Sequence, residues 1–347
     1  MPQTAEQQRI DFYLYPPIGG EDFRYAYSTA KVRALWSEML SPATLQDMAN
    51  AGTFEQAADL LSTSEYALPS GAGSFKEVEK ILLGQRTGVR NLFENLMLDE
   101  KVVELFKSRD DFANMRLLLR RKLTEKDIGS DYSSEGNVSP ELFEEIFELE
   151  KYELLPDYLE HAVEQAILSY YHYKDIRYID YAIDKAEAEY KLKTARELNS
   201  TFLTSLFNIQ IDLINIKTML RLKFSESEER DVFLNGGYIE AERLKYGIDA
   251  EYEGLGQLFY ATPYFQFVET SANYLNSEKS FIKAEQQCEQ YMSEFLMTTQ
   301  IITAGPQPVV AYLLEKEKEI RTLRLILTAK KNSLEPKLIL DRIGEFK

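Results

Sequence analysis

The sequence contains few residues of the two types that most often carry metal or covalent chemistry. It has one cysteine, Cys288, and two histidines, His161 and His172, among 347 residues. A single cysteine excludes an intramolecular disulfide and favours a reducing compartment. On one continuous helix the two histidines would lie ~16 Å apart, too far to share a ligand. We therefore predict no metal site, and we interpret Cys288 as a small buried apolar residue and both histidines as structural or surface residues.

Long apolar runs and an excess of positive charge are also absent. The longest apolar run, Val309–Leu314, is far shorter than the ~20 residues that span a bilayer, and residues 1–9 are polar. The formal net charge of −17 argues against non-specific nucleic-acid binding, because that binding needs clustered Lys and Arg to neutralise phosphates. We expect a soluble, cytoplasmic protein whose acidity serves solubility or attracts a basic protein partner.

Glycine and proline are scarce as well, with 16 and 11 residues, and apolar residues recur at helical spacing. The three clearest helical patterns start near Phe202, Ser280 and Pro308. Their apolar positions are Phe202, Leu206, Ile209, Leu213, Ile216 and Leu220; Phe281, Ala284, Cys288, Tyr291 and Phe295; and Val310, Leu313, Leu314, Ile320, Leu323 and Leu327. Long alternating Val/Ile/Thr runs are missing, so the sequence predicts an all-α fold, with loops at residues 67–74 and 127–138.

No motif in the sequence predicts catalysis. Gly71-Ala72-Gly73 lacks the Lys-Ser/Thr pair of a phosphate-binding loop, and the acidic segment Glu141–Glu150 contains no Glu-x-x-His pair for a carboxylate-bound metal. We therefore predict that the chain is not an enzyme, uses no cofactor and binds no small-molecule substrate. The tyrosine-rich segment Tyr170–Tyr181 is open to two interpretations, as aromatics that pack helices or as a surface for a partner.

An internal repeat is the most informative feature of the sequence. One set of polar residues recurs at the same spacing 101 residues later: Asp111, Asn114, Arg116 and Arg120 correspond to Asp212, Asn215, Lys217 and Arg221. A basic residue directly after an aliphatic one occurs at two further places, which gives a series of four: Arg33, Arg116, Lys217 and Arg321. Each of these four is predicted either to line a shared axial cavity or to pair with an acidic neighbour inside its own unit.

Helix-start signals follow the repeated positions. Ser41, Ser139 and Ser225 are predicted N-caps, and Ser225 with Glu228 is predicted to form a capping box. Ser139 comes later in its copy than the other two, so residues 122–138 are interpreted as a local insertion.

The repeat length of roughly 100 residues predicts three similar helical units. Their expected bounds are 1–120, packed with the C-terminal helix, then 121–224 and 225–347. Three similar units imply a pseudo-threefold body with a hollow centre.

Four segments also carry a family likeness. Tyr25–Arg33, Arg109–Arg116, Phe233–Tyr238 and Ala311–Arg321 resemble the C subunit of bacterial and archaeal V-type (A-type) rotary ATPases, the relative of the eukaryotic V-type ATPase d subunit. The matching segments extend from Tyr25 to Ala329 and therefore cover most of the chain.

The resemblance implies both a shape and a role. The shape is a funnel of three similar helical domains around a pseudo-threefold axis. The role is a non-catalytic socket that couples the central shaft, subunits D and F, to the membrane proteolipid ring and transmits torque between ATP hydrolysis or synthesis and ion transport. The resemblance also implies a peripheral position on the cytoplasmic face of the membrane. The alternative from the residues alone is a helical-repeat interaction scaffold unrelated to ATPases.

Overall fold

A computed structural model describes residues 16–67, 75–124 and 132–344. All regular secondary structure in these ranges is helical, which confirms the predicted all-α class. Residues 132–138 of the second predicted loop contain no helix, whereas the first predicted loop lies outside the described residues except for Ala67. No helix in the described ranges is long and apolar enough to cross a membrane.

The described ranges contain fourteen α-helices joined by short turns and 3₁₀ segments. They are α1 (Ala26–Trp36), α2 (Pro42–Asn50), α3 (Phe54–Asp59), α4 (Phe75–Leu96), α5 (Glu100–Thr124), α6 (Pro140–Leu149), α7 (Asp157–Tyr173), α8 (Arg177–Glu197), α9 (Thr201–Phe224), α10 (Ala241–Asp249), α11 (Phe265–Glu278), α12 (Ile282–Met297), α13 (Pro306–Lys331) and α14 (Pro336–Ile343).

The three helices predicted from apolar periodicity correspond to α9, α12 and α13. Their predicted stripes are largely buried, and Cys288 is buried among them on α12, as expected. Helix α13 begins at Pro306, two residues before the predicted start, because two prolines lie in its first turn, where a missing N–H costs no intrahelical bond. Both histidines lie on exposed positions of α7.

Two of the three predicted N-caps are confirmed. The Ser41 hydroxyl accepts a hydrogen bond from the backbone N–H of Thr44 at 3.1 Å, and the Ser139 hydroxyl accepts one from the N–H of Leu142 at 3.3 Å. The predicted capping box at Ser225 is wrong. Ser225 closes α9, and its hydroxyl donates back to the carbonyl of Leu222 at 3.2 Å.

Contacts between helices group the described residues into two compact units. The first is a continuous stretch within Asp99–Asp249, which contains α5 to α10. In it, α5 packs against α7 and α8, α8 packs against α9, and α9 packs against α10. A core of apolar side chains joins α5, α6, α7 and α8, and its fully buried members include Met115, Leu119, Phe143, Leu159, Val163, Ile179 and Ile183.

The second unit joins residues 16–67 and 75–98 to residues 250–344. Its central element is α13, which packs against α1, α3 and α4 from the beginning of the chain and against α12 from the end. Helix α12 also packs against α11 and α14. The last long helix is therefore built into the same unit as the first four helices. The division into three units at 120 and 224 stays a prediction.

Candidate functional site

A buried aspartate on each of α5 and α9 holds the loop that follows its helix. Asp111 and Asp212 are fully buried. The Asp111 carboxylate accepts a hydrogen bond from the backbone N–H of Val138 at 3.0 Å, and the Asp212 carboxylate accepts one from the N–H of Ile239, also at 3.0 Å. Donor and acceptor are 27 residues apart in both copies. We call each of these contacts a carboxylate anchor.

A buried asparagine one turn further along each helix doubles the attachment. The Asn114 side chain donates to the carbonyl of Ser133 at 2.8 Å and accepts from its N–H at 2.9 Å. Asn215 forms the same pair of bonds with Leu234, at 2.9 and 2.8 Å. Both amide groups therefore satisfy a donor and an acceptor of the loop backbone, which is half-buried at Ser133 and buried at Leu234.

A glycine makes room for each carboxylate anchor. A Cβ atom on Gly136 would lie 2.2 Å from Oδ1 of Asp111, and one on Gly237 would lie 2.2 Å from Oδ1 of Asp212. Any side chain at either position would collide with the carboxylate, so the close approach requires glycine.

The equal spacings show that residues 122–138 are not an insertion, so that prediction is wrong. Lys122 donates to the carbonyl of Phe147 at 2.9 Å, and Lys223 donates to that of Ile248 at 3.3 Å, again with equal separations of 25 residues. The error followed from Ser225, which resembles an N-cap in sequence but ends a helix. When the loops are aligned by their anchors, the segment from the anchoring aspartate to the following short helix has the same length after α5 and after α9.

A third carboxylate makes the corresponding contact from α13. Oε2 of Glu319 accepts a hydrogen bond from the N–H of Leu40 at 2.6 Å. Leu40 directly precedes the N-cap of α2, just as Val138 directly precedes the N-cap of α6. The Glu319 carboxylate is 5% exposed and also accepts from the Tyr66 hydroxyl at 2.6 Å. Helix α13 therefore anchors the loop before α2 across 279 residues of sequence.

These anchors are the polar residues that the sequence alone did not assign a role. The equal spacing of Asp and Asn on α5 and α9 indicates these anchors in the sequence. The sequence alone, however, assigns a role only to the basic residue of each set. A tyrosine supports the first anchor: the Tyr158 hydroxyl donates to Oδ2 of Asp111 at 2.8 Å. Burial and the nearby carboxylate raise the pKa of that hydroxyl, so it stays a donor.

Among the four predicted basic residues, Arg116 lies between two acidic residues of its own unit. It contacts Asp180 at 3.4 Å and also pairs with Asp184, both on α8. Burial alone would lower the pKa of the Arg116 guanidinium, but Asp184 and Asp180 outweigh that effect and raise it. Arg116 therefore stays charged and ties α5 to α8.

Arg33 and Lys217 have different surroundings. Arg33 is exposed and donates to the carbonyls of Gln300 and Ile302 at 3.0 and 2.6 Å, next to the end of a 3₁₀ segment. Lys217 is half-buried on α9 and makes no ion pair within the described ranges. The equivalent positions of the repeat thus differ in their contacts.

Arg321 lines a surface pocket of about 540 Å³ formed by α12, α13 and α14. Two further arginines line it: Arg324, which pairs with Glu79 at 3.1 Å, and Arg342, which pairs with Glu289 at 2.9 Å. The rest of the lining is mostly apolar. The structure thus places Arg321 at a surface pocket and Arg116 in an internal ion pair, whereas Arg33 donates to backbone carbonyls. It does not bring the four basic residues together within either unit.

These features first define a class of all-helical protein. In this class a buried carboxylate on a long helix binds the backbone of the loop that precedes a short helix. Residues 28–342 match the family model described as "ATP synthase (C/AC39) subunit", so the chain belongs to that family. The predicted resemblance to the C subunit of V-type and A-type ATPases is thereby confirmed.

Individual relatives agree with the family match along nearly the whole chain. The C subunit of the V-type sodium ATPase of Enterococcus hirae is 22% identical over 325 residues, covering 90% of this chain and 96% of the relative. The C subunit of the A-type ATP synthase of Thermococcus kodakarensis is 25% identical, with 92% and 90% covered. That of Methanocaldococcus jannaschii is 23% identical, with 91% and 85% covered.

Proposed function

We propose that this chain is the rotor component that joins the central shaft, subunits D and F, to the membrane proteolipid ring. It does no chemistry itself and transmits torque between ATP hydrolysis or synthesis and ion transport, from a peripheral position on the cytoplasmic face of the membrane. The observation that carries this proposal is the family match over residues 28–342, together with relatives named as subunits of V-type and A-type enzymes. The proposal includes the funnel of three similar units around a pseudo-threefold axis.

The hydrogen bonds and ion pairs inside each of the two units support a mechanical role. A part that transmits torque must resist deformation, and loops are the segments of a helical protein that yield first. The three carboxylate anchors and the Arg116–Asp180–Asp184 cluster attach loops and neighbouring helices through charge-assisted hydrogen bonds. Such bonds are roughly twice as strong as neutral ones, so they stiffen the segments that would otherwise move.

Omission of this chain from the reconstituted complex tests the rotor role. Without it, the catalytic head should still hydrolyse ATP, whereas ATP-driven ion uptake into vesicles should fall to background because the shaft is no longer joined to the ring. Adding the purified chain back should restore uptake, and the chain should co-purify with D and F. If uptake is unchanged by its omission and the chain binds neither the shaft nor the ring, the unrelated-scaffold alternative takes its place.

We also propose that Arg33, Arg116, Lys217 and Arg321 line or brace the central cavity of the socket. Arg116→Ala should lower the free energy of unfolding by about 1–2 kcal/mol, because it leaves Asp184 without its partner, whereas Asp180 keeps its pairing with Arg120. Lys217→Ala should cost under about 1 kcal/mol, since this lysine makes no ion pair in the described ranges. Urea unfolding and binding to the D–F complex measure the two effects. If alanine at each of the four positions changes neither quantity, the proposed role fails.

A further inference from the structure

A surface groove of about 720 Å³ lies within the unit Asp99–Asp249. Helices α7 and α8 form two of its sides, and residues 228–232, from the segment that leads to α10, form the third. It contains none of the three carboxylate anchors and none of the four repeated basic residues. The anchors and the repeated basic residues therefore do not account for it.

Stacked tyrosines form one wall of this groove. The rings of Tyr173 and Tyr178 are parallel, with centroids 3.7 Å apart and an interplanar angle of 13°. Tyr181 meets Tyr178 edge-on at 5.5 Å. Tyr173 is 52% exposed, whereas Tyr178 and Tyr181 are half-buried. The tyrosine-rich segment therefore both packs helices and presents an aromatic face that is already fixed in place, which lowers the entropy lost when a partner binds.

The groove is lined by more acidic than basic groups. Four carboxylates, those of Glu189, Glu228, Glu229 and Asp231, face two cations, Lys185 and Arg230. This excess of two negative charges repels an acidic partner and attracts a basic one.

Some of these charged groups already have partners. Glu229 accepts from the Tyr181 hydroxyl at 3.2 Å and pairs with Arg177, also at 3.2 Å. Arg230 pairs with Asp249 at 2.7 Å. Glu189 and Glu228 are exposed and form no hydrogen bond or ion pair in the part of the chain that the structure describes.

We propose that this groove binds a basic polypeptide segment of a partner protein. A lysine or arginine side chain lies against the exposed part of the Tyr173 ring, which attracts a cation, and Glu189 and Glu228 supply the opposing charge. The test of this binding uses neither the shaft nor the ring, so the proposal does not depend on the rotor role.

Fluorescence anisotropy with the full-length chain tests this site. The probe is a fluorescein-labelled peptide of 12 residues with four lysines among glycine and serine, and the matched peptide has four glutamates in their place. At low salt the lysine peptide should bind saturably and the glutamate peptide should not. The double variant E189Q/E228Q should weaken binding about tenfold, and Tyr173→Ala about threefold, consistent with an exposed cation–π contact.

A matched control separates the groove from general attraction to an acidic protein. E145Q/E148Q removes the same amount of charge from exposed positions on α6 and should change the affinity less than twofold. Equal weakening by both double variants overturns the proposal, since non-specific attraction depends only on total charge. Failure of the lysine peptide to bind saturably at low salt overturns it as well.

Discussion

At the scale of single residues, two glycines decide whether the buried carboxylates of α5 and α9 reach their loops. Gly136 and Gly237 lie against Asp111 and Asp212 with no room for a Cβ atom, and neither has the positive φ that would itself require glycine. Their requirement is therefore steric. A methyl group would push the carboxylate away and leave a buried N–H without its acceptor.

Gly136→Ala and Gly237→Ala should each lower the free energy of unfolding by about 1–3 kcal/mol, because the added methyl overpacks the anchor. Urea unfolding followed by circular dichroism measures the change. Gly84→Ala and Gly88→Ala are the matched controls, since a Cβ at either position in α4 meets nothing within 4 Å. These two variants should raise stability by about 0.5–1 kcal/mol, because alanine is the better helix former. A similar loss in all four variants would contradict the steric argument.

At the scale of helices, one bidentate ion pair contributes to the attachment of α14 to α12. Arg342 donates to both oxygens of Glu289, at 3.0 and 2.9 Å. Burial alone would raise the pKa of the Glu289 carboxyl, but the hydrogen bonds and charge of Arg342 outweigh it and hold that pKa below its ordinary value of 4.5. A carboxyl with a lowered pKa stabilises the folded state above its unfolded pKa and loses that contribution as the pH falls through the folded value.

The stability difference between the wild-type chain and Glu289→Gln should therefore depend on pH. At pH 7 the variant should be less stable by about 2 kcal/mol, and the difference should shrink as the pH falls below 4.5. Urea titrations at several pH values measure it. Glu335→Gln, at the exposed N-cap of α14, is the control and should show a small difference at every pH. If the difference in the free energy of unfolding between wild type and Glu289→Gln stays constant from pH 7 to pH 3, the lowered pKa of Glu289 is contradicted.

The helices themselves were predictable, but the contacts between them were not. Apolar periodicity located α9, α12 and α13, because the spacing of buried residues along a helix is set by local geometry. Ser225 was misassigned because a serine hydroxyl can serve either end of a helix, and a short window of sequence does not distinguish the two. The bond from Glu319 to Leu40 spans 279 residues, so no local pattern indicates it. The equal spacings of Asp and Asn on α5 and α9 indicate only the anchors on those two helices.

At the scale of the whole molecule, the charge of −17 gives the proposed shaft contact a measurable signature. A basic shaft terminus would be steered toward an acidic chain, and salt screens such steering over a distance of about 10 Å at 0.1 M. The association rate constant with the D–F complex should fall at least about tenfold between 50 and 500 mM salt, while the dissociation rate changes little. Stopped-flow fluorescence measures both rates. An association rate that does not depend on salt would contradict this prediction, and solubility would remain as the only role for the acidic charge.

The position of α13 also affects the order in which the chain acquires its structure during synthesis. The described part of the unit within Asp99–Asp249 is one continuous stretch of the chain. Its residues therefore leave the ribosome in uninterrupted succession and can fold while translation proceeds. The other unit needs Glu319 and its neighbours on α13 to complete α1 to α4, and these residues are made only after the whole Asp99–Asp249 stretch. Helices α1 to α4 must therefore wait for α13, and their apolar faces stay exposed while the intervening unit is made.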